Sequence, residues 1–207
     1  MQPETRQRIL FGALMALGLA VVLIGGLWPA GDDATPEPLA ADGAKLEITV
    51  AGEADGRIVI QLLPEIAPQN VARVIELARS GAYDGVVFHR VIDGFMAQTG
   101  DVEYGRAGGD LRRAGRGGSD LPDLPLEPSQ IPFERGIVGM ARTAEPDSAN
   151  SQFFIMFASS PNLNGQYTVV GQVIEGFDVL DAIRRGTGPN GAVVEDPDVM
   201  VKVRVIE

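Results

Sequence analysis

The sequence predicts a mainly β fold: a closed eight-stranded antiparallel barrel, capped by two α-helices and preceded by one N-terminal transmembrane helix. Eight short β-rich runs, two segments of helical periodicity and one long uncharged run predict it. The 26 glycines and 14 prolines among 207 residues indicate many turns, as is typical of strand-rich proteins. Closure into a barrel is favoured because it removes exposed sheet edges.

The N-terminal run Ile9–Trp28 contains 20 residues without a charge. At ~1.5 Å per residue, a helix of this length crosses a hydrocarbon core of ~30 Å. Arg6 and Arg8 precede the run, so the positive-inside rule places residues 1–8 in the cytoplasm and the rest of the chain across the membrane. We expect residues 9–28 to be an uncleaved signal-anchor. Cleavage near Pro38–Ala41, which would release a secreted periplasmic form, stays open.

Residues 29–43 are acidic, contain proline and lack apolar periodicity, which predicts an extended linker. The folded domain is expected over residues 44–207, which hold 15 basic and 23 acidic residues and a net charge of −8. This charge repels nucleic acid, so no nucleic-acid partner is expected. The chain has no cysteine and one histidine, His89, which excludes disulfide scaffolds, zinc fingers and thiol nucleophiles. We expect no metal and no cofactor.

The first two β-rich runs, Lys45–Val50 and Arg57–Leu63, flank a turn-forming segment and predict a hairpin. The stripe Val71, Val74, Ile75 and Ala78 then predicts an amphipathic helix, with Pro68 in its first turn and Gly81 beyond its end.

The rest of the domain contains six more apolar runs and one more helical stripe. The six predicted strands are Val86–Val91, Phe95–Thr99, Gly136–Ala141, Gln152–Phe157, Thr168–Val173 and Val199–Ile206. The stripe over Phe177–Arg184 predicts the second helix, which Gly186 ends.

Residues 104–132 are rich in glycine and proline and have no periodicity, so they predict a long loop. Such loops are uncommon in compact domains and are often functional. Its acidic residues Asp120, Asp123 and Glu127 lack the spacing of an EF-hand and indicate a solvated acidic face.

Two strings carry a resemblance to a known family: FHRVIDGFMAQTGD at residues 88–101 and NSQFFI at residues 150–155. Here the chain resembles the cyclophilins, which are peptidyl-prolyl cis-trans isomerases, and the resemblance extends from about Lys45 to the C-terminus. The stretch MARTAEPDSANSQFFI is similar to bacterial members in particular.

The resemblance implies an eight-stranded antiparallel barrel with two capping helices, an isomerase activity and a set of site residues. It implies that Arg90 is the principal catalytic residue. It also implies that substrate is bound by Phe95, Met96, Gln98, Ala141, Arg142, Gln152, Phe154, Leu163 and Tyr167. Many animal members have a tryptophan in the segment that matches residues 161–165, where this chain has Asn162. Animal members usually have a histidine at the position of Tyr167 and an asparagine at that of Arg142.

The chemistry of prolyl isomerisation suits these residue types. Rotation about an X-Pro bond must break amide resonance over a barrier of ~18–20 kcal/mol, and it needs neither a nucleophile nor a cofactor. A guanidinium that donates a hydrogen bond to the proline nitrogen opposes that resonance, and an apolar pocket holds the ring. The partners implied are proline-containing polypeptides outside the cytoplasm, in the bacterial periplasm.

Two other functions of the domain stay open at this point. The domain could bind proline-containing peptides as a chaperone or scaffold with little turnover, or it could be a purely structural, membrane-tethered module. A hydrolase using His89 with Ser148 and Asp147 is disfavoured because the chain has no GxSxG nucleophile elbow.

Overall fold

A computed structural model describes Leu39 and residues 43–207 of this chain. The predicted anchor over residues 9–28 lies outside the described residues, as does most of the predicted linker. Among the residues that the structure describes, no helix is long and apolar enough to cross a membrane.

The described domain contains nine strands and two α-helices. The strands are β1 (Lys45–Ala51), β2 (Gly56–Leu62), β3 (Val86–Val87), β4 (Arg90–Ile92), β5 (Met96–Thr99), β6 (Ile137–Met140), β7 (Phe153–Met156), β8 (Val169–Glu175) and β9 (Val199–Ile206), and the helices are α1 (Pro68–Arg79) and α2 (Phe177–Ala182).

All nine strands form one antiparallel sheet in the order β3-β9-β1-β2-β8-β6-β7-β5-β4. The two edge strands, β3 and β4, are consecutive in the chain and are separated only by Phe88 and His89, and the sheet curls into a half-barrel. The prediction of a mainly β fold with two helices is confirmed, but the predicted closed barrel of eight strands is a curled half-barrel of nine, because β3 and β4 do not pair and the run Val86–Val91 forms two short strands. The chain leaves the sheet at Phe88, whose N–H donates to the Asp198 carbonyl.

Both predicted helices and the predicted hairpin are present. β1 pairs with β2 in register, and α1 begins at Pro68 as expected. Helix α2 ends at Ala182, two residues before the predicted end. The Arg184 N–H donates to the buried Asp198 carboxylate at 2.6 Å instead of to a helix carbonyl, and this bond turns the chain away.

Two apolar clusters lie on opposite faces of the curled sheet, because side chains alternate along each strand. The larger contains Phe153 and Ile155 of β7 together with the buried faces of α1 and α2. The smaller contains Phe154 and Met156 of the same strand with Met96 of β5. The smaller cluster forms the floor of the candidate site.

The predicted long loop, residues 104–132, is fixed to α1 along its second half. The Glu127 carboxylate accepts hydrogen bonds from the N–H groups of Gln69 and Asn70 in the first turn, at 3.1 and 2.9 Å. Buried Arg73 donates to the Pro122 carbonyl at 2.9 Å. Glu127 thus caps the helix N-terminus, where a carboxylate is stabilising. These contacts hold the loop beside the sheet.

Candidate active site

Strand register places three of the predicted site residues side by side. Arg90 of β4 lies opposite Gln98 of β5, and Gln98 lies opposite Phe154 of β7. Paired residues on neighbouring antiparallel strands point to the same face, so the guanidinium, the amide and the ring form one row across the sheet. The next residue in the row is Gly139 of β6.

Gly139 makes room for the aromatic floor of the site. A Cβ at this position would lie 2.6 Å from the Phe154 ring and 2.7 Å from the Phe133 ring, closer than real contacts allow. Phe133 and Phe154 stack with centroids 5.7 Å apart, and Tyr167 meets Phe154 edge-on at 5.7 Å. Ring pairs in these arrangements stabilise one another, which makes the floor rigid.

A cavity of about 160 Å³, here called the apolar cavity, lies above this floor. It is smaller than the ~300–1,000 Å³ of sites for drug-sized ligands and has room for one side chain. Its lining residues are Arg90, Phe95, Met96, Gln98, Ala141, Arg142, Phe154, Leu163 and Tyr167. The structure thus brings nine of the ten predicted site residues around one cavity. Their functional roles stay predictions.

Gln152, the tenth predicted residue, lies outside the apolar cavity but is bonded to it. Gln98 donates to Gln152 Oε1 at 2.9 Å, and Gln152 Nε2 donates to the Gly117 carbonyl at 2.8 Å. Gln98 Oε1 accepts from Arg90 Nη1 at 3.0 Å. A continuous hydrogen-bonded chain therefore links the long loop to the guanidinium of Arg90.

The guanidinium of Arg90 is half-buried and held by neutral acceptors. Nε donates to the Asn190 carbonyl at 3.0 Å, and Nη2 donates to Asn190 Oδ1 at 3.2 Å. Nη1 bonds Gln98 and contacts the Met96 sulfur at 3.8 Å. Because a guanidinium has five N–H groups, these bonds leave an N–H of Nη2 free to donate to a ligand. Partial burial lowers the pKa of Arg90, and nearby Tyr167 opposes this effect.

Asn190 is a hydrogen-bond partner of Arg90 that the sequence does not predict. It occupies the left-handed region at φ 54° within a turn between Pro189 and Gly191, and asparagine tolerates this conformation better than most residues. Two of its oxygens hold Arg90 from 100 positions away in sequence. The Pro-Asn-Gly string signals a turn and nothing more, so no local signal identifies its partner.

Arg142 and Tyr167 also line the apolar cavity. The Arg142 guanidinium stacks over the Tyr167 ring at 4.5 Å and donates from Nη2 to the Gln166 carbonyl at 2.9 Å. Stacking and hydrogen bonding together fix the planar group, as arginine chemistry favours. The lining of the apolar cavity therefore includes a cation that is stacked on an aromatic ring.

Two larger cavities adjoin the apolar cavity, and the long loop lines both. The first, about 760 Å³ and here called the arginine cavity, shares Arg90 and Gln98 with the apolar cavity. The second, about 530 Å³ and here called the loop cavity, shares Gln98, Ala141 and Arg142 with it. The three adjoining cavities are together called the groove. The long loop therefore lines part of the candidate site, and its functional role stays a prediction.

His89 stands next to Arg90 but is placed for packing. It is 6% exposed, and neither ring nitrogen makes a hydrogen bond within normal geometric limits. Burial lowers the pKa of the imidazole to about 4, against the opposing charge of Asp101. Because both ring nitrogens are enclosed, they cannot reach a substrate proton, and the Ser148 hydroxyl is hydrogen-bonded to Thr143 and the Glu145 carbonyl instead of to His89.

The buried imidazole is expected to make stability depend on pH. The unfolded pKa is about 6.5 and the folded pKa is about 4, so between these values the unfolded chain binds more protons. The contribution of neutral His89 to the free energy of unfolding is therefore complete above pH 6.5. It is lost as the pH falls towards 4, by at most about 3 kcal/mol. Urea unfolding of the wild type and His89→Asn from pH 7.5 to 4 measures it. Parallel losses in the two proteins would contradict the assignment.

Residues 45–205 match the family model described as cyclophilin type peptidyl-prolyl cis-trans isomerase/CLD. The chain belongs to the cyclophilin family. A probable peptidyl-prolyl cis-trans isomerase of Brucella suis is 54% identical over 153 residues, 73% of this chain and 78% of the relative. A peptidyl-prolyl cis-trans isomerase of Helicobacter pylori is 38% identical over 63% of this chain and 76% of its own.

Solved cyclophilins share the fold as well. A Cryptosporidium parvum cyclophilin-type isomerase, crystallised in the presence of the dipeptide Ala-Pro, has a TM-score of 0.68 and 25% identity over 79% of this chain and 99% of its own. A Hirschia baltica cyclophilin has a TM-score of 0.62 and 28% identity over 77% of this chain and 72% of its own. The resemblance stated from the sequence is confirmed, and the chain is a peptidyl-prolyl cis-trans isomerase of the cyclophilin type.

Proposed function

We propose that this cyclophilin binds the proline ring of a polypeptide in the apolar cavity and that Arg90 catalyses rotation of the X-Pro bond. The observation that carries the proposal is the position of the Arg90 guanidinium on the wall of a cavity of single-side-chain size. The floor is apolar and rigid, so a proline ring held there stays fixed while the preceding carbonyl turns.

Arg90 supplies the electrostatic step. In the twisted transition state, the proline nitrogen is pyramidal and carries a lone pair, and an N–H of Nη2 donates to it. This bond is stronger in the transition state than in the planar ground state, so it lowers the barrier. The hydrogen bonds that the guanidinium donates to the Asn190 carbonyl and to Gln98 Oε1 orient it before substrate arrives, which avoids a cost of reorganisation.

An NMR titration tests the cavity assignment. The full chain in detergent, labelled at methionine methyls, is titrated with an Ala-Pro peptide and with the matched Ala-Ala peptide. We expect the Met96 methyl signal to shift with the first peptide only, because it lies in the wall of the apolar cavity. Met200, buried in the other cluster, is the internal control. Equal shifts with both peptides would refute a proline-specific cavity.

We propose further that residues 9–28 anchor the enzyme in the inner membrane in a single pass, with the catalytic domain in the periplasm. The uncharged 20-residue run and the preceding Arg6 and Arg8 support this topology. The resemblance to bacterial members supports the periplasm, where folding or unfolded chains are the substrates.

Carbonate extraction of membranes, combined with protease treatment of spheroplasts, tests the topology. An anchored enzyme stays in the membrane pellet and is digested from the periplasmic side. Release into the soluble periplasmic fraction would show cleavage near Pro38–Ala41, and protection from protease would place the domain in the cytoplasm.

A further inference from the structure

The arginine cavity carries a positive charge that the rest of the domain does not share. Its lining includes Arg90, Arg112 and Arg116 but only one carboxylate, Asp110. The domain as a whole, residues 44–207, has a net charge of −8. The positive charge of this cavity therefore comes from the arginines of the long loop and of β4, and it contrasts with the acidic domain as a whole.

The only acid in this lining is already paired. Arg112 donates to Asp110 from Nε at 2.8 Å and from Nη2 at 2.6 Å, in the two-pronged geometry that guanidinium and carboxylate favour. The hydrogen bond from Arg112 lowers the pKa of Asp110 to about 2, so the pair stays ionised and neutral overall. Asp110 therefore does not neutralise the other two arginines.

Arg116 and Arg90 remain without a carboxylate partner. Among the described residues, no Asp or Glu lies within ion-pair distance of either guanidinium, and the polar contacts of Arg90 are all to neutral groups. Arg116 is exposed and also lines the loop cavity, so it stands where the two larger cavities meet. Two positive charges without a carboxylate partner therefore line the arginine cavity beside the apolar cavity.

We propose that Arg116 and the arginine cavity bind an acidic side chain of the substrate near the proline, which makes this enzyme selective for X-Pro bonds with acidic flanks. The inference rests on the proposed role of the apolar cavity, because that cavity shares Arg90 and Gln98 with the arginine cavity, so a residue that flanks a proline bound there lies close to the arginine cavity. The volume of about 760 Å³ takes a flanking segment and its side chain.

Isomerisation of matched peptides tests the selectivity. One pair carries Glu or Gln two residues before an Ala-Pro bond, and a second pair carries Glu or Gln two residues after it. The readout is the ratio of kcat/KM for the Glu peptide to that for the Gln peptide, measured with the full chain in detergent. We expect a ratio above one in at least one pair, and a fall of about two- to five-fold in Arg116→Ala, the size of one partly exposed ion pair.

Arg113→Ala is the matched control. It removes the same charge from the same loop segment, but Arg113 packs on the Tyr104 ring outside the arginine cavity. Arg113→Ala is expected to keep the ratio, Arg116→Lys to retain part of it, and 0.5 M salt to reduce it in the wild type. The inference would be overturned if both wild-type pairs gave a ratio of one, or if the ratio fell equally in Arg116→Ala and Arg113→Ala. In either case, turnover of the Gln peptides would still support the isomerase assignment. Absence of turnover on every peptide would instead count against the proposed roles of Arg90 and the apolar cavity.

Discussion

Arg90→Ala is expected to lower kcat/KM for an Ala-Pro peptide by about 10²–10³-fold, the cost of removing one preorganised donor from a transition state. Its guanidinium is positioned at the apolar cavity by the Gln98 amide and by both oxygens of Asn190. Alanine leaves the apolar floor intact, so binding of the proline ring should persist. Exchange NMR measures the rate, because uncatalysed isomerisation takes ~10–100 s at 25 °C.

Two variants separate a specific role from a change of charge. Arg204→Ala removes a positive charge from an exposed position on β9 and should keep full activity. Arg90→Lys keeps the charge but loses the planar guanidinium, which donates hydrogen bonds to both Asn190 and Gln98. This variant should therefore lose most of the activity. If Arg90→Ala turned over substrate at the wild-type rate, the catalytic assignment would be wrong. A loss of turnover without any effect on client folding in cells would favour the peptide-binding scaffold.

The parts of the fold that the sequence predicts are those with local causes. The hairpin follows from alternation and a turn between β1 and β2, and α1 follows from its apolar stripe and Pro68. The division of Val86–Val91 has no local cause. It depends on the bond from the Phe88 N–H to the Asp198 carbonyl, more than 100 residues away, and a continuous apolar run does not reveal such a partner.

The site shows the same limit. Arg90, Gln98 and Phe154 were identifiable through family strings, and strand pairing then explains why they share a row. Asn190 was missed because its role depends on a turn docking against a strand that is distant in sequence. The location of the arginine cavity likewise needed the fold, since four arginines in an aperiodic loop give no indication of which of them face the groove.

Asp101→Ala is expected to destabilise the protein by about 2–4 kcal/mol and to reduce turnover. The carboxylate is fully buried and accepts four backbone N–H bonds. Oδ1 accepts from Glu103 and Tyr104 at 3.1 and 2.8 Å, and Oδ2 accepts from Gly115 and Gly117 at 2.7 and 3.0 Å. Hydrogen bonds to a charged group are worth about 1.5–3 kcal/mol each. The expected loss of stability is smaller than the sum over four bonds, because water hydrates the freed N–H groups of the loop.

The loss of turnover follows from the link between this loop and Arg90. Asp101 fixes Gly117, whose carbonyl accepts from Gln152, and Gln152 accepts from the Gln98 amide that bonds Arg90. Misplacement of a catalytic group by ~1 Å can cost ~10²-fold, so a fall in kcat of about 10-fold is expected. The melting temperature should drop by about 4–16 °C in a domain of this size. Asp120→Asn removes a charge from an exposed position in the same loop and should change neither quantity. A melting temperature of Asp101→Ala equal to that control would show that the loop is held by other contacts, and an unchanged kcat would show that Arg90 keeps its position without the loop.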